Sequence, residues 1–148
     1  MTIEPEMSAS TKLSTAVQAL CFLASHRASP QSSDCISRAT GLHPSRIRGI
    51  LSQLAGEGIV FSVRGLSGGF ALARNPEDIH LQEVYCAVEE RKAFHLDVTR
   101  DGGAHYPISA SVNRWFLDLF SDVQVQIEDR MRAITLADIL RHINISQS

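Results

Sequence analysis

The sequence is short of several things, and each shortage excludes a class of function. Only three of its 148 residues are cysteine: Cys21, Cys35 and Cys86. They are widely spaced, with no Cys-x-x-Cys pair and no Cys/His ligand spacing, so no structural metal site is expected. Scattered thiols read as reduced cysteine in a cytoplasmic protein rather than as a disulfide framework. No apolar run approaches the length of a membrane span, and no charged–apolar–small signal segment opens the chain, so a membrane partner is not expected. Catalytic signatures are missing too: there is no Ser/His/Asp arrangement, no phosphate-cradling Gly-x-x-x-x-Gly-Lys loop and no metal-ligand triad. The chain does not read as an enzyme.

Charge of one sign is also lacking, since the formal net charge is only −2. Its distribution is uneven. From Arg38 to Arg74 the charged residues are Arg38, Arg46, Arg48, Arg64 and Arg74 against Glu57 alone, so the rest of the chain is net acidic. A basic block in an acidic chain is the footprint of a local phosphate-binding face.

What is present is a sequence of helical stripes interrupted once by a strand pattern. Residues 12–26 place Leu13, Val17, Leu20 and Leu23 at helical spacing. Ser32 or Ser33 is then a candidate N-cap for a short helix over Asp34–Thr40, with Ile36 and Ala39 inward and Gly41 as its end. Pro44 suits the first turn of a further helix, in which Ile47, Ile50, Leu51 and Leu54 form an apolar stripe. Ser45, Arg46, Arg48 and Gly49 lie on its other side, and His43 is placed to cap it. After Gly58 the period changes: Ile59–Val63 is β-branched and aromatic, Arg64–Gly69 is turn-forming, and Phe70–Arg74 alternates. That is a hairpin with a glycine-rich tip. Residues 81–90 form another helix, with Leu81, Val84, Tyr85 and Val88 on one face. The longest pattern runs from Ser109 to Arg132, with Val112, Trp115, Phe116, Leu119, Val123 and Ile127 in one stripe, and calls for a partner surface. A last short helix is capped at Thr135.

Helix, glycine turn, helix and hairpin in that order make a winged helix-turn-helix. The fold expected is mainly α with a small β-hairpin, the DNA-binding domain being followed by a long dimerisation helix. Residues 1–10 read as a flexible N-terminus, 11–90 as the winged-helix domain, 91–107 as a loop, and 108–145 as the dimerisation helix with the terminal helix. The opening residues of the second helix would reach base edges in the major groove. There Ser45 can bond to a base or phosphate, and Arg46 and Arg48 can each form forked hydrogen bonds. Arg64 could enter the minor groove, where narrow A·T-rich stretches deepen the negative potential. Gly65, Gly68 and Gly69 would let the tip turn sharply and bring backbone N–H groups near phosphates.

These residues carry a resemblance. The stretch from Leu42 to Glu89 is similar to the IscR/NsrR/CymR (Rrf-two) family of bacterial winged-helix regulators. The sharpest block is Gly58–Ala73, with Ser62-Val63-Arg64-Gly65, Gly68-Gly69-Phe70 and Leu72-Ala73-Arg74, followed by the helix start at Ile79–Leu81. The resemblance implies a homodimer on double-stranded DNA at an inverted-repeat operator, with Ser45, Arg46, Arg48 and Arg64 touching DNA. It also implies a test for a cofactor, because the iron–sulfur members carry three close cysteines in the loop before the long helix. Here residues 91–107 contain none, so the resemblance is to the cluster-free branch, and an iron–sulfur cluster is not expected.

Some residues have two readings. Cys35, in the first turn of a helix, and Cys21 are candidate redox-sensor thiols; both are also small enough to be packing residues, as is Cys86. His95, Asp97, Asp101 and His105 in the loop lack a helical spacing for metal but leave room for a small effector. The fold also serves as a protein–protein module without DNA binding. Ser45, Arg46 and Arg48 speak against that alternative, because such a module would present acidic or apolar groups there.

Overall fold

The computed structural model describes residues 9–90 and 106–143. Expectations for residues 1–8, 91–105 and 144–148, including the flexible N-terminus and nearly all of the loop, lie outside the described residues. Helix α1 (Ala9–Ser25) is followed by α2 (Ser33–Thr40) and α3 (Pro44–Gly56). The hairpin of β1 (Val60–Val63) and β2 (Gly69–Leu72) comes next, then a 3-10 turn at Pro76–Asp78. Helices α4 (Leu81–Val88), α5 (Pro107–Arg132) and α6 (Leu136–Ile143) complete the chain.

Local chemistry accounts for most element ends. The Ser32 side chain accepts a hydrogen bond from Cys35 N–H at 3.1 Å and so caps α2. Gly41 closes that helix at φ 75°, a left-handed conformation that costs a side-chain-bearing residue more than glycine. Pro44 occupies the first turn of α3 behind the N-cap His43. At the start of α6, Thr135 Oγ1 accepts from Asp138 N–H at 3.1 Å while the Asp138 carboxylate accepts from Thr135 N–H at 2.9 Å, a reciprocal cap.

The core lies where α1, α3, α4 and the base of the hairpin meet. Leu20, Leu23, Ile36, Ile47, Leu51, Leu54, Ile59, Ile79, Val84 and Val88 are buried within it. Each contributes roughly 1.5–3 kcal/mol relative to remaining in water. β1 and β2 pair antiparallel from Val60↔Leu72 to Val63↔Gly69. Phe70 also exchanges two backbone hydrogen bonds with Gln31, of 2.8 and 2.9 Å, which ties β2 to the segment leading into α2. The spacing of helical residues does not foretell that bridge.

Two expectations, for Ala39 and Cys86, are corrected by the packing. Ala39 faces solvent, because α2 is short and buries only Ser33 and Ile36. Cys86 is exposed on the outer face of α4, not packed. Helix α6, grouped by its sequence position with the long helix, returns to the N-terminal core. Its Leu136 is buried there, and the turn before it is pinned by Leu81 N–H to Ile134 O and by Leu136 N–H to Ile79 O, both 2.8 Å.

Candidate nucleic-acid interface

The start of α3 and the wing are the two surfaces on which the predicted contact residues fall. In α3, His43 Nδ1 accepts from Ser45 N–H at 3.2 Å and lies 2.8 Å from Ser45 Oγ. Nδ1 is thus within hydrogen-bond distance of both the amide and the hydroxyl of Ser45.

Arg48 is exposed, and its guanidinium donates to Ser33 Oγ at 3.2 Å, a side-chain tether between α3 and the start of α2. Gly49 is exposed too, and a Cβ built on it would meet nothing within 4 Å, so the missing side chain serves no packing within the chain. Arg46 differs from the expectation of a free fork: its Nε and Nη2 are buried without a hydrogen-bond partner. Sequence spacing alone put it beside Arg48 on the outer face.

The wing is built on backbone constraints. Gly65 has φ 116° and Gly69 has φ 154°, and a Cβ on Gly69 would stand 2.3 Å from Gln31 O. A Cβ on Gly68 would stand 2.3 Å from Val63 O, so the tip closes only with glycine there. Arg64 is exposed at the base of this tip. Arg74, counted in the basic block, is withdrawn from it. Its Nε donates to Gly58 O at 3.3 Å, and its Nη1 donates to Asp78 O at 3.3 Å and to the Glu83 carboxylate at 3.0 Å. Burial would raise the Glu83 pKa, but the His80 N–H and Arg74 outweigh it and hold the carboxyl below its ordinary range. Arg74 therefore fastens the hairpin exit to α4. Sequence reading missed Leu66, which is fully exposed at the wing apex.

The sensor candidates sit in opposite surroundings. Cys35 is partly exposed, and hydrogen bonds from the Ser32 side chain and then Arg38 lower its thiol pKa. Cys21 is buried in α1, and burial pushes its thiol up to about 11, the reverse of what a reactive thiolate needs. Two open grooves flank α6, of about 660 Å³ beside Arg130 and Ile134 and about 450 Å³ beside Cys21, Phe22 and Thr40.

On α5 the stripe splits. Val112 (46 % exposed), Trp115 (62 %), Phe116 (40 %) and Leu119 (39 %) face solvent, while Val123 and Ile127 are half-buried. Gln124, only 2 % exposed, donates to Tyr85 Oη at 3.2 Å and so joins α5 to α4. Among the described residues no helix is long and apolar enough to cross a membrane.

Comparison with known proteins bears on this geometry. The family model named Rrf2 and described as an iron-dependent transcriptional regulator matches residues 9–142. The chain is 33 % identical over 140 residues to ORF2 of Azotobacter vinelandii, named as an HTH-type transcriptional regulator, covering 94 % of this chain and 82 % of that one. Among solved structures it is similar to T. potens IscR, with a TM-score of 0.67 and 28 % identity over 100 % of this chain and 92 % of that one. CymR, the global cysteine regulator of B. subtilis, shares the fold with a TM-score of 0.67 at 20 % identity, over 96 % and 98 % of the two chains.

The iron in that family description does not find a matching ligand set in the described residues. The three cysteines stand on α1, α2 and α4, one of them buried, and no group of three His, Cys, Asp or Glu side chains there could hold a metal ion.

Proposed function

This chain belongs to the Rrf2 family of transcriptional regulators, and from that premise we propose that two copies join through α5 and read an inverted-repeat operator with paired α3 helices and wings. The chain is a DNA-binding regulator of transcription and not an enzyme. A bacterial regulator of this kind works in the cytoplasm, and one seated on an operator that overlaps a promoter excludes polymerase, so the sense expected is repression.

The observation that carries the reading is the exposed α5 stripe of Val112, Trp115, Phe116 and Leu119. An isolated surface helix has no reason to align its large apolar groups, and covering what remains exposed of each is worth on the order of 1 kcal/mol. A second copy supplies such a cover, with Val123 and Ile127 continuing the contact toward the core. Two-fold pairing then sets two α3 helices about one turn of the duplex apart.

On each half-site Ser45 and Arg48 face base edges, and Gly49 lets the backbone approach a phosphate. Arg64 enters the minor groove, and the sharp tip set by Gly65, Gly68 and Gly69, in which the Gly68 N–H is taken up by Gly65 O, brings the neighbouring backbone close to the flanking phosphates. Arg46 is included: its Nε and Nη2 are buried without an acceptor, which is unfavourable, and a shift of the side chain toward the duplex would give them a phosphate. A signal acts on this arrangement either through oxidation of Cys35, in the first turn of α2, or through a small effector in a groove beside α6, which would shift α5 against the core.

The test uses the DNA upstream of the chain's own coding region, together with duplexes selected from a random pool. A band shift at nanomolar protein, with sedimentation as a dimer, is expected. Arg64→Ala should weaken binding and lower the salt slope by about one unit. A monomer that selects no sequence would overturn the proposal. Absorbance of the purified protein tests for a cluster, which is coloured.

A further inference from the structure

The wing carries an unusual apex. Gly68 N–H donates to Gly65 O at 3.0 Å, which closes a four-residue turn with Leu66 and Ser67 at its corners. Leu66 is fully exposed at this apex. The turn is held in place from both ends. Gly68 and Gly69 stand so close to Val63 O and Gln31 O that neither has room for a side chain, and β2 is bonded to β1 on one edge and to Gln31 on the other. From Val60 to Ala73 the only charged residue is Arg64. The wing therefore presents an apolar point, Leu66, beside Ser67 and behind a single cationic collar, with no acidic residue between Val60 and Ala73.

A point of that chemistry fits one kind of surface well. The minor groove has a negative floor that attracts the arginine, and its walls are the C–H faces of deoxyribose. Apolar side chains inserted there partly unstack a base step and bend the duplex. A tip meant only to skim a phosphate strand would gain from a lysine beside Ser67 at the apex, and a leucine adds nothing to such a contact.

We propose that Leu66 is an apolar wedge that enters the minor groove beside Arg64, presses on the sugar walls and selects deformable base steps. The proposal rests on the wing's engaging duplex DNA. It adds a residue whose contribution is specificity without charge, in contrast to Arg64, whose contribution is largely affinity.

The experiment compares wild type, Leu66→Ala and Leu66→Lys on a duplex selected by the wild-type protein from a random pool and on a scrambled duplex of the same length. 2-Aminopurine is placed at successive steps under the wing footprint of the selected duplex. Leu66→Ala should bind the selected duplex about ten- to fiftyfold more weakly, according to how fully its three lost carbons are covered, and the scrambled duplex as wild type does. Its salt slope should not change, because no phosphate contact is removed. Wild type should brighten 2-aminopurine at one step, and Leu66→Ala should not. Leu66→Lys should tighten binding to the scrambled duplex while failing to restore the selected one. Because Leu66 is exposed, unchanged thermal melts for both variants provide the folding control.

Equal binding of the selected duplex by wild type and Leu66→Ala would overturn the wedge and leave the apex for a protein partner. Tighter binding of the selected duplex by Leu66→Lys would also overturn it, since the apex would then lie along a phosphate strand. A wild-type protein that selects no duplex would overturn the DNA reading as well, so the two failures are distinguishable.

Discussion

Helices α3 and α5 carry apolar residues at the same spacing and treat them in opposite ways. In α3, Ile47, Ile50, Leu51 and Leu54 are sealed against the rest of the chain, none more than 4 % exposed. In α5, Val112, Trp115, Phe116 and Leu119 stand in water, and the helix buries only Gln124 and Met131. Helix α3 is fixed with its polar side outward. Helix α5 leaves its apolar side uncovered among the described residues and is attached to the core toward its C-terminal end, through Gln124–Tyr85 and the bonded turn before α6. One helix is a platform and the other an arm, and the difference lies in what covers the stripe.

That contrast predicts two kinds of damage. Leu51→Ala removes a fully buried side chain and should lower unfolding free energy by about 2–5 kcal/mol at any protein concentration, read from urea midpoints. Leu119→Asp should leave the helical signal intact, yield monomers in sedimentation, and abolish the concentration dependence of the melting temperature. If Leu119→Asp stays dimeric, or if Leu51→Ala costs no more than a surface change, the distinction between platform and arm collapses.

The same distinction explains what could be read from the residues alone. Features set by neighbours within four positions were legible: the Ser32 cap, the left-handed Gly41, Pro44 behind His43, and the tip of the hairpin. A stripe on α5 was legible as well, but periodicity states that an apolar face exists and not how much of it the chain itself covers. Val123 and Ile127 lie half under the core, while Trp115 does not. Features set by distant partners were not legible. Arg74 counts as basic in any window, yet Gly58, sixteen residues away, and Glu83 take up its donors. The return of α6 to the core, the sheltering of Arg46 and the bridge from Gln31 to Phe70 likewise depend on where α1 and α2 deliver the chain. Leu66 was passed over for another reason, since an exposed leucine carries meaning only once its place at an apex is known.

A smaller effect sharpens the joint between platform and arm. Gln124 is buried, and its Nε2 donates both to Tyr85 Oη, itself buried, and to Glu128 Oε1 at 3.1 Å. Tyr85→Phe should cost about 0.5–1.5 kcal/mol, because the Gln124 amide loses one of its partners. Gln124→Leu combined with Tyr85→Phe should recover part of that loss, since both polar groups are then gone. In duplexes selected from a random pool, the double variant should accept a broader range of half-site spacings than wild type. An unchanged range would show that apolar packing alone sets the angle of α5.

The smallest expected effect concerns two thiols that repeat the contrast in miniature, one sealed and one open. A thiol is alkylated as its thiolate, so its rate rises with pH and levels off above its pKa. Cys21, held up at about 11 by burial, should stay nearly inert to iodoacetamide through neutral pH. Cys35, with its pKa lowered by the Ser32 side chain and Arg38, should react first and level off at lower pH than an ordinary cysteine. Arg38→Ala removes one donor to the thiolate and should slow Cys35 a few-fold at pH 7, with the difference closing near pH 10, where both forms are ionised. Peptide mapping by mass spectrometry reads both rates in one sample. If Cys35 is no faster than Cys21, or if Arg38→Ala leaves its pH profile in place, then the start of α2 does not activate the thiol, and the proposed thiol route to α5 falls.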